Sequence, residues 1–358
     1  MLKTVTLYIF LQAILQFFFT DGACTMPKDF QNSDWVDNRR GNITFTTWKM
    51  TGWGFKPVDG TIIDEWEIVD NVNFKSQGYL ALRSLSTFKE QNKTWYSYVC
   101  LNFTKVTDFS YMYYHIHEPE PMAGGERIKV FDRDNLTSFT DICNTAIVTP
   151  EQEFSVMVRQ VKEMEKIRTS CPDPLLRKFD YRYYTSDRTP YCTQNGNLWD
   201  ACTDRTMMTF NYTACNKTMA YSKKGEAWCI ASVTVKTDTY TVVYNPDDIV
   251  DGINTFRFTC IVIDDDSIEA SMSPQFCSVN QTSYSLRTDT TGKKVGIQLT
   301  NRILESCRKY ALFFYLNKPT LSTSVFHYCI CSNKNQMLLC YCIIPCYNAR
   351  LSFFITTM

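Results

Sequence analysis

The stretch from Cys192 to Cys260 limits most strongly what this chain can fold into. It combines five cysteines with short runs of strand-forming residues, turn residues and two N-glycosylation sequons. Sixteen cysteines in 358 residues would be a redox liability in the cytosol, whereas an oxidising compartment converts cysteines into disulfides. The stretch therefore predicts a disulfide-bonded extracellular β domain and not an active site.

The cysteines before residue 300 divide into two even sets, so each half of the chain could close its own disulfides. Four cysteines allow three connectivities and six allow fifteen. A bridge that closes a loop of ten to a hundred residues stabilises a fold by about 3–5 kcal/mol. Our hypothesis is that pairs form within each half and not between the halves. The disulfide candidates are Cys24, Cys100, Cys143 and Cys171 in the first half, and Cys192, Cys202, Cys215, Cys229, Cys260 and Cys277 in the second.

The N-terminus has the pattern of a secretory signal. Lys3 precedes an apolar run from Val5 to Phe19, and the small residues Gly22 and Ala23 offer a cleavage site. The run is shorter than the roughly 20 residues that span a bilayer. The sequence therefore predicts a signal peptide over residues 1–22, a secreted or cell-surface location, and no membrane span in this chain.

Seven N-x-Thr sequons support the same compartment. A glycosylated asparagine must face solvent, so each sequon is also a prediction of exposure. Asn102 shares a strand face with Cys100, so the pattern predicts less exposure for this sequon than for the others. The glycosylation candidates are Asn42, Asn92, Asn102, Asn135, Asn211, Asn216 and Asn280.

Period-two alternation and turn residues recur through most of the chain and indicate β-strands. Between Trp95 and Phe103, for example, Trp95, Val99 and Phe103 share one face, while Tyr98 and Cys100 share the other. Strands spaced about ten residues apart with turns between them are typical of sandwiches and barrels. The sequence predicts a mainly β protein with little helix, built from two tandem, disulfide-stapled antiparallel β domains, each a sandwich or a barrel.

The domain boundary is expected at Cys171-Pro172-Asp173-Pro174, because two prolines end any regular element there. This gives an N-terminal β domain with four cysteines over residues 23–171 and a cysteine-rich β domain with six cysteines over 172–300. Residues 150–171 fit either a strand followed by a short helix or linker, which we favour, or a helix that begins after Thr149.

Residues 301–358 differ in composition from the rest of the chain and contain no sequon. We expect an atypical tail that is poorly ordered or truncated. Two alternatives remain open: a zinc site of thiolates from the tail cysteines Cys329, Cys331, Cys340, Cys342 and Cys346, and a lipid- or membrane-anchored end.

The second half resembles a family of cysteine-rich extracellular modules of unknown function, found in tandem in secreted and membrane-anchored proteins of molluscs, arthropods and other invertebrates. The resemblance is carried by F-D-Y-R-Y from Phe179, T-F-N-Y-T-A-C ending at Cys215, A-W-C at Cys229 and F-R-F-T-C at Cys260. The first half is similar to the companion module of the same proteins. The resemblance implies a modular extracellular protein with no established activity.

Candidate chemistry is sparse. Basic and acidic residues balance at 37 each, which gives no reason to expect a nucleic-acid partner. His115-x-His117-Glu118 could hold a metal from one strand face, and Asp264–Asp266 with Asp247, Asp248 and Asp251 could gather calcium. A partly exposed strand and solvated loops explain both patterns better. No nucleophile motif is present, so we expect no catalytic residue, no metal and no cofactor.

These observations predict a secreted or cell-surface glycoprotein that acts as an extracellular interaction module, is not an enzyme, and binds an extracellular protein or matrix partner. The alternative is a lipocalin-like carrier of a small hydrophobic ligand, which the glycine-tryptophan cluster from Trp48 to Phe55 suggests. A closed barrel with a dry apolar cavity larger than about 300 Å³ would favour the carrier.

Overall fold

The computed structural model describes residues 25–70, 74–132, 139–211, 222, 224–253 and 255–307. It also describes the backbone of a hairpin at 328–334 and 337–343. The predicted signal peptide, Cys24, Cys215, Asn135 and Asn216 lie outside these residues. Residues up to Ser306 form one compact unit, and the remainder forms a second unit.

The first half of the chain closes into an antiparallel barrel. Its strand order is β5-β4-β3-β2-β1-β9-β7-β6, and pairing of β5 with β6 completes the ring, while β8 extends β6 at the edge. The strands are β1 (Ser33–Asp37), β2 (Gly41–Phe45), β3 (Lys49–Phe55), β4 (Ile63–Asp70), β5 (Tyr79–Glu90), β6 (Lys93–Thr107), β7 (Ser110–His115), β8 (Lys129–Asp132) and β9 (Ser155–Arg159).

Aromatic side chains fill the interior of this first barrel. Phe30 enters from the segment before β1, and its ring centroid lies 5.5 Å from that of Trp35, 5.0 Å from that of Phe45 and 5.0 Å from that of Tyr111. All four side chains are buried. Strand alternation explains the set, because Trp35 and Phe45 occupy inward positions of β1 and β2.

The glycine-tryptophan cluster lies on β3 and serves the fold. Gly52 has φ +88°, and a Cβ atom there would lie 2.1 Å from the backbone oxygen of Asn42. Only glycine allows this close approach of β3 to β2. Trp53 is buried inside the barrel and packs edge-on against Trp66, whereas Trp48 is about half exposed in the preceding turn.

A short outer layer covers β5 and β6. It contains the helix α2 (Phe139–Ile142) and the Cys100–Cys143 disulfide. A first helix, α1 (Phe74–Gln77), precedes β5, and 3-10 turns lie at Pro121–Ala123, Glu151–Glu153, Met164–Ile167 and Asp173–Leu175. None of the helices in the described part of the chain has the length and hydropathy of a membrane span.

The second half closes into another antiparallel barrel. Its strand order is β10-β12-β13-β14-β15-β16-β17-β20, and pairing of β20 with β10 completes the ring. The short strand β11 is a third partner of β10, and β18 and β19 form a separate two-stranded ribbon. The strands are β10 (Arg177–Tyr184), β11 (Pro190–Cys192), β12 (Leu198–Asp200), β13 (Met207–Phe210), β14 (Glu226–Val235), β15 (Asp238–Tyr244), β16 (Phe258–Asp264), β17 (Glu269–Pro274), β18 (Arg287–Thr288), β19 (Lys294–Val295) and β20 (Ile297–Ser306).

The second barrel is also packed with its own side chains. Trp199 lies directly between Phe179 and Phe210 in the register, with ring centroids 4.6 Å and 5.1 Å away. On the opposite wall, Ile261 lies across from Met272. All five side chains are buried.

The second unit, from Cys307 onward, contains a two-stranded antiparallel hairpin, β21 (Tyr328–Lys334) and β22 (Met337–Ile343). In its register Cys329 lies opposite Cys342, and Cys331 lies opposite Cys340.

The predicted fold class is confirmed, and each antiparallel domain is a closed barrel. The preferred interpretation of residues 150–171 is also confirmed, because β9 is followed by a single 3-10 turn at Met164–Ile167. The alternative, a helix that begins after Thr149, is wrong. Both faces of β9 are buried, and a strand that is buried on both faces has an unbroken apolar run that by itself also fits a helix.

The hypothesis that disulfides stay within each half is wrong. Cys171, assigned to the first set, is bonded to Cys229 on β14 of the second barrel. The connection between the barrels runs back along the second barrel, where the amide of Thr169 donates to the carbonyl of Cys229 at 2.9 Å. This path brings Cys171 to β14 before the chain enters β10.

Candidate functional site

The two barrels share a hydrophobic core between their walls, which we call the interbarrel seam. The first barrel contributes Phe154, Val156 and Val158, the outward-facing positions at β9, while Met157 between them faces its interior. The second barrel contributes the outward-facing residues Trp228, Ile230, Tyr240, Val242, Tyr244, Phe258, Cys260 and Val262 of β14, β15 and β16. Burial of apolar area stabilises by about 25 cal/mol per Å², so each barrel stabilises the other.

The β1–β2 turn adds polar contacts across the seam. The Asn38 side chain accepts a hydrogen bond from the amide of Val156 at 2.9 Å and donates to the carbonyl of Gln275 at 3.4 Å. Arg39 donates to the carbonyl of Cys277 at 3.2 Å, and its guanidinium lies 4.1 Å from the ring centroid of Phe276. The β1–β2 turn of the first barrel is therefore held by hydrogen bonds and a cation–π contact to the segment that follows β17 of the second barrel.

A buried ionic cluster lies at the same end of the first barrel. Asp37 accepts hydrogen bonds from the hydroxyl of Tyr113 and from the amides of Arg39 and Arg40, all at 2.8 Å. Burial raises the pKa of the Asp37 carboxyl, and these hydrogen bonds act in the opposite direction. Burial likewise raises the pKa of Tyr113 well above its ordinary value. Both carboxylate oxygens already accept hydrogen bonds from the protein, so this aspartate holds the turn and is poorly placed to act as a base.

Arg40 completes the cluster. Its guanidinium pairs with the carboxylate of Glu126, donates to the carbonyl of Gly54 at 3.0 Å, and lies 4.2 Å from the ring centroid of Trp53. Burial opposes the charge on Arg40, but the Glu126 carboxylate outweighs that effect and raises the pKa of the guanidinium. These contacts close this end of the barrel.

The two histidines considered as metal ligands are buried structural residues. His115 packs beside the rings of Trp53 and Tyr113, and burial, with the charge of Arg40, lowers its pKa well below the ordinary value. His117 accepts a hydrogen bond from the amide of Cys100, and burial lowers its pKa to about 4. Within the described residues, no group of histidines, cysteines and carboxylates is arranged to hold a metal ion.

The acidic residues considered for calcium lie at opposite ends of one strand. Asp264 ends β16, whereas Asp247 and Asp251 lie in the loop that enters it. A strand of seven residues extends roughly 23 Å, so these carboxylates cannot share one ion. Asp264 accepts from the amide of Ile268, and Asp251 accepts from the amide of Thr255, which assigns both to turn formation.

A groove of about 690 Å³ opens on the surface beside the seam. Asn42, on the outer face of β2, lies at its first-barrel wall, and Tyr244 and Arg257 line its second-barrel wall. Arg257 lies 5.3 Å from the ring centroid of Tyr244 and donates to the carbonyl of Asn245 at 2.8 Å. Among the described residues, the lining consists of Val36, Asn42, Gln160, Val161, Lys162, Met164, Tyr244, Val250 and Arg257.

Two isoleucines project from the loop between β15 and β16. Ile249 and Ile253 are 76% and 79% exposed, the highest values among the large apolar residues that the structure describes in the second barrel. The loop is braced from within, because Asp251 accepts hydrogen bonds from the amides of Ile253 and Thr255 at 2.9 and 2.8 Å. A braced loop presents its apolar tips at little entropic cost on binding.

The described cysteine candidates are all in disulfides. The pairs are Cys100–Cys143, Cys171–Cys229 and Cys260–Cys277, and Cys192 and Cys202 are also disulfide-bonded. These bonds are consistent with the oxidising compartment expected from the sequence.

The described sequons differ in exposure. Four are exposed, namely Asn42, Asn92, Asn211 and Asn280, and Asn102 is half-buried on the strand face that it shares with Cys100. Glycosylation at each of them stays a prediction.

Residues 168–295 match DUF7042, a domain of unknown function. The DUF7042 match covers the second barrel from the segment before Cys171 through β19 and ends before β20. It confirms the second half as an uncharacterised module. No curated protein and no solved structure gives a match to the chain.

Sequence reasoning missed the residues that form the seam and the groove. Arg39 and Phe276 are far apart in the chain, and neither belongs to a motif. One local signal was available: Asp37-Asn38-Arg39-Arg40 places two arginines in a turn between aromatic strands, where guanidinium–ring contacts are common. Its partner in the DUF7042 domain could not be read from the sequence.

Proposed function

We propose that the chain is a secreted or cell-surface glycoprotein that acts as an extracellular interaction module without catalytic activity. The observation that carries the proposal is the contrast between packed barrel interiors and the two exposed isoleucines, Ile249 and Ile253, on a braced loop. Single exposed apolar residues are common on protein surfaces, whereas two on one loop present a larger apolar surface of the kind that marks contact points for a partner.

The predicted signal peptide, the Thr sequons and the disulfides support the extracellular location. The DUF7042 match supports one module of unknown function in the second barrel. The tandem arrangement, in which each barrel is one module, is our proposal from the resemblance of both halves to invertebrate extracellular modules. The partner we propose is an extracellular protein or matrix component. Two exposed acidic residues, Asp248 and Asp251, lie in the same loop as the isoleucines, so a partner surface with apolar and basic character fits best.

The lipocalin-like carrier remains the second candidate, and the packing of the interiors weighs against it. In the first barrel Phe30 packs against both Trp35 and Phe45 where a carrier would hold its ligand. A carrier would also be expected to yield a stoichiometric hydrophobic ligand when the secreted protein is extracted and analysed by mass spectrometry.

Binding to cells tests the interaction proposal. The full chain is secreted from animal cells with a small epitope tag, and its binding to a panel of cell surfaces and matrix preparations is titrated by flow cytometry and plate assay. We expect saturable binding that the double substitution Ile249→Asp and Ile253→Asp weakens at least about tenfold, as for a hot-spot pair. The matched control is Val148→Asp, because Val148 is 84% exposed on the first barrel. Binding that the isoleucine variant leaves unchanged, or no saturable binding on any surface, would contradict the proposal.

A further inference from the structure

The groove beside the seam begins at a glycosylation sequon. Asn42 and Thr44 occupy alternate positions of β2, and both side chains are exposed on its outer face. Asn42 lies opposite Val36 in the β1–β2 register, and both residues line the groove. A sugar attached to Asn42 would therefore emerge at the wall of the groove and not at a loop tip.

The amide group of Asn42 is oriented by a neighbour. Nε2 of Gln160 donates a long hydrogen bond of 3.4 Å to Oδ1 of Asn42. Gln160 is held in turn by its backbone, whose amide donates to the carbonyl of Asp34 at 2.9 Å. This contact engages the side-chain oxygen of Asn42 and leaves the amide nitrogen, the atom that a glycan modifies, for the sugar.

The lining of the groove suits a sugar. Val250 and Met164 contribute apolar surface, and Lys162 contributes a hydrogen-bonding ammonium group. Tyr244 and Arg257, whose guanidinium already donates to backbone carbonyls, form the second-barrel wall. A sugar ring has an apolar face and several hydroxyls, so it can contact both kinds of surface. The volume of 690 Å³ falls within the roughly 300–1,000 Å³ of small-molecule sites, which is sufficient for the first sugars of a glycan.

We propose that the proximal N-acetylglucosamine residues of an N-glycan on Asn42 occupy this groove, so that the glycan bridges the two barrels. The inference rests on the proposed function, since it requires passage through the secretory pathway. It adds a sugar-binding site beside the interbarrel seam.

Two other sequons provide internal references. Asn92 lies at the tip of the β5–β6 hairpin, and Asn280 lies in a turn after Cys277; both are exposed. Neither lines the groove. Glycans at these positions are expected to be freely accessible, whereas a glycan in the groove is shielded by protein on both sides.

The test measures the accessibility of each glycan on the folded protein. The chain is secreted from cells that attach uniform oligomannose glycans and is treated, without denaturant, with an endoglycosidase that cuts between the two proximal sugars. Glycopeptide mass spectrometry follows release site by site. We expect release at Asn42 to be at least about tenfold slower than at Asn92 and Asn280, and equal at all three sites after denaturation.

A variant of the groove separates shielding by the groove from a general effect of the β2 strand. Val250→Arg narrows the groove and keeps the sequon, and it should bring release at Asn42 to within about twofold of release at Asn280. The matched control is Ile249→Arg, on the neighbouring exposed residue, which should leave the slow release unchanged. Rapid release at Asn42 in the unmodified chain overturns the proposal.

The outcomes also separate this inference from the proposed function. If Asn92 and Asn280 carry glycans and Asn42 does not, the groove proposal is wrong and the glycoprotein proposal stands. If the chain is not secreted, or is secreted without any glycan, both are wrong.

Discussion

The backbone amide of Cys100 donates a hydrogen bond to Nε2 of His117 over 3.1 Å, beside the Cys100–Cys143 disulfide. The bond requires a neutral imidazole whose Nε2 is unprotonated. Burial, assisted by the charge of Lys129, lowers the pKa of His117 to about 4. The fold therefore excludes a proton that the unfolded chain accepts below its ordinary pKa of about 6.5.

The first prediction is acid lability from this histidine. The contribution of His117 to the free energy of unfolding has its full value above about pH 6.5. It decreases as the pH falls towards 4, because only the unfolded state gains the proton in that interval. We expect His117 to account for about 3 kcal/mol of lost stability between pH 7 and pH 4. Urea unfolding at a series of pH values measures this loss. His117→Gln keeps an acceptor and does not titrate, so its stability should fall by correspondingly less; an identical pH profile for the two proteins would refute the assignment.

Asp37 contributes with the opposite sign. Burial raises the pKa of its carboxyl in the folded state, so the folded protein takes up this proton before the unfolded chain does, and stability decreases as the pH rises through that interval. Comparison of His117→Gln with the unmodified chain removes this common contribution.

The second prediction concerns close approach on β3. Gly52→Ala should lower the free energy of unfolding by roughly 2–4 kcal/mol, because a Cβ atom would both strain a positive φ and meet the backbone of Asn42. The matched control is Gly41→Ala, since Gly41 has φ +79° with nothing within 4 Å of its added Cβ. The control isolates the strain, which we expect to be about 1 kcal/mol. Equal losses in chemical denaturation would show that the contact with Asn42 relaxes freely.

The third prediction ranks two disulfides by the free energy of unfolding that is lost when each is removed. Loss of Cys171–Cys229, with a sequence separation of 58, should reduce stability by about 4 kcal/mol on the chain-entropy model. Loss of Cys260–Cys277, with a separation of 17, should reduce it by about 3 kcal/mol. Paired alanine variants measure both. Peptide mapping of the non-reduced protein should recover Cys171 linked to Cys229, and any other partner for Cys171 would contradict the path of the connection.

The fourth prediction tests the fastening of the barrels. Arg39→Lys should reduce stability by about 2–4 kcal/mol, because lysine at this half-buried position cannot reproduce the planar contact with Phe276 and the hydrogen bonds to two carbonyls. Lys49→Ala is the control, since its ion pair with Glu65 is exposed and should be worth less than about 1 kcal/mol. Hydrogen exchange should rise at Val156 and around Cys277 in the Arg39 variant. Faster exchange confined to the β1–β2 turn would show that the seam does not depend on this arginine.

Alternation and turn chemistry were sufficient to predict the β class and many of the strands, because one-face burial imposes a period of two. They did not distinguish a sandwich from a barrel. Closure depends on the pairing of β5 with β6 and of β10 with β20, and the sequence of a strand does not show which strand pairs with its other edge. The seam was missed for a related reason. Val156 and Val158 face the other barrel while Met157 faces its own, and such an unbroken apolar run also fits a helix.

The candidate site was predictable only in its separate parts. The Asn42 sequon is visible in the sequence, but its position beside Tyr244 depends on how two barrels pack. The histidines and aspartates were visible as well, but neighbouring positions in the sequence do not show the hydrogen bonds that engage them in the fold.

The closure of the second barrel has a consequence for how this module can be moved between proteins. The DUF7042 match ends at residue 295, whereas β20 runs from Ile297 to Ser306 and pairs with both β10 and β17. A module cut at the end of the match would carry two open strand edges, which recruit strands from other molecules. By contrast, two molecules that retain β20 on a loosened hinge could exchange it and form a domain-swapped dimer. The transferable unit therefore extends through Ser306.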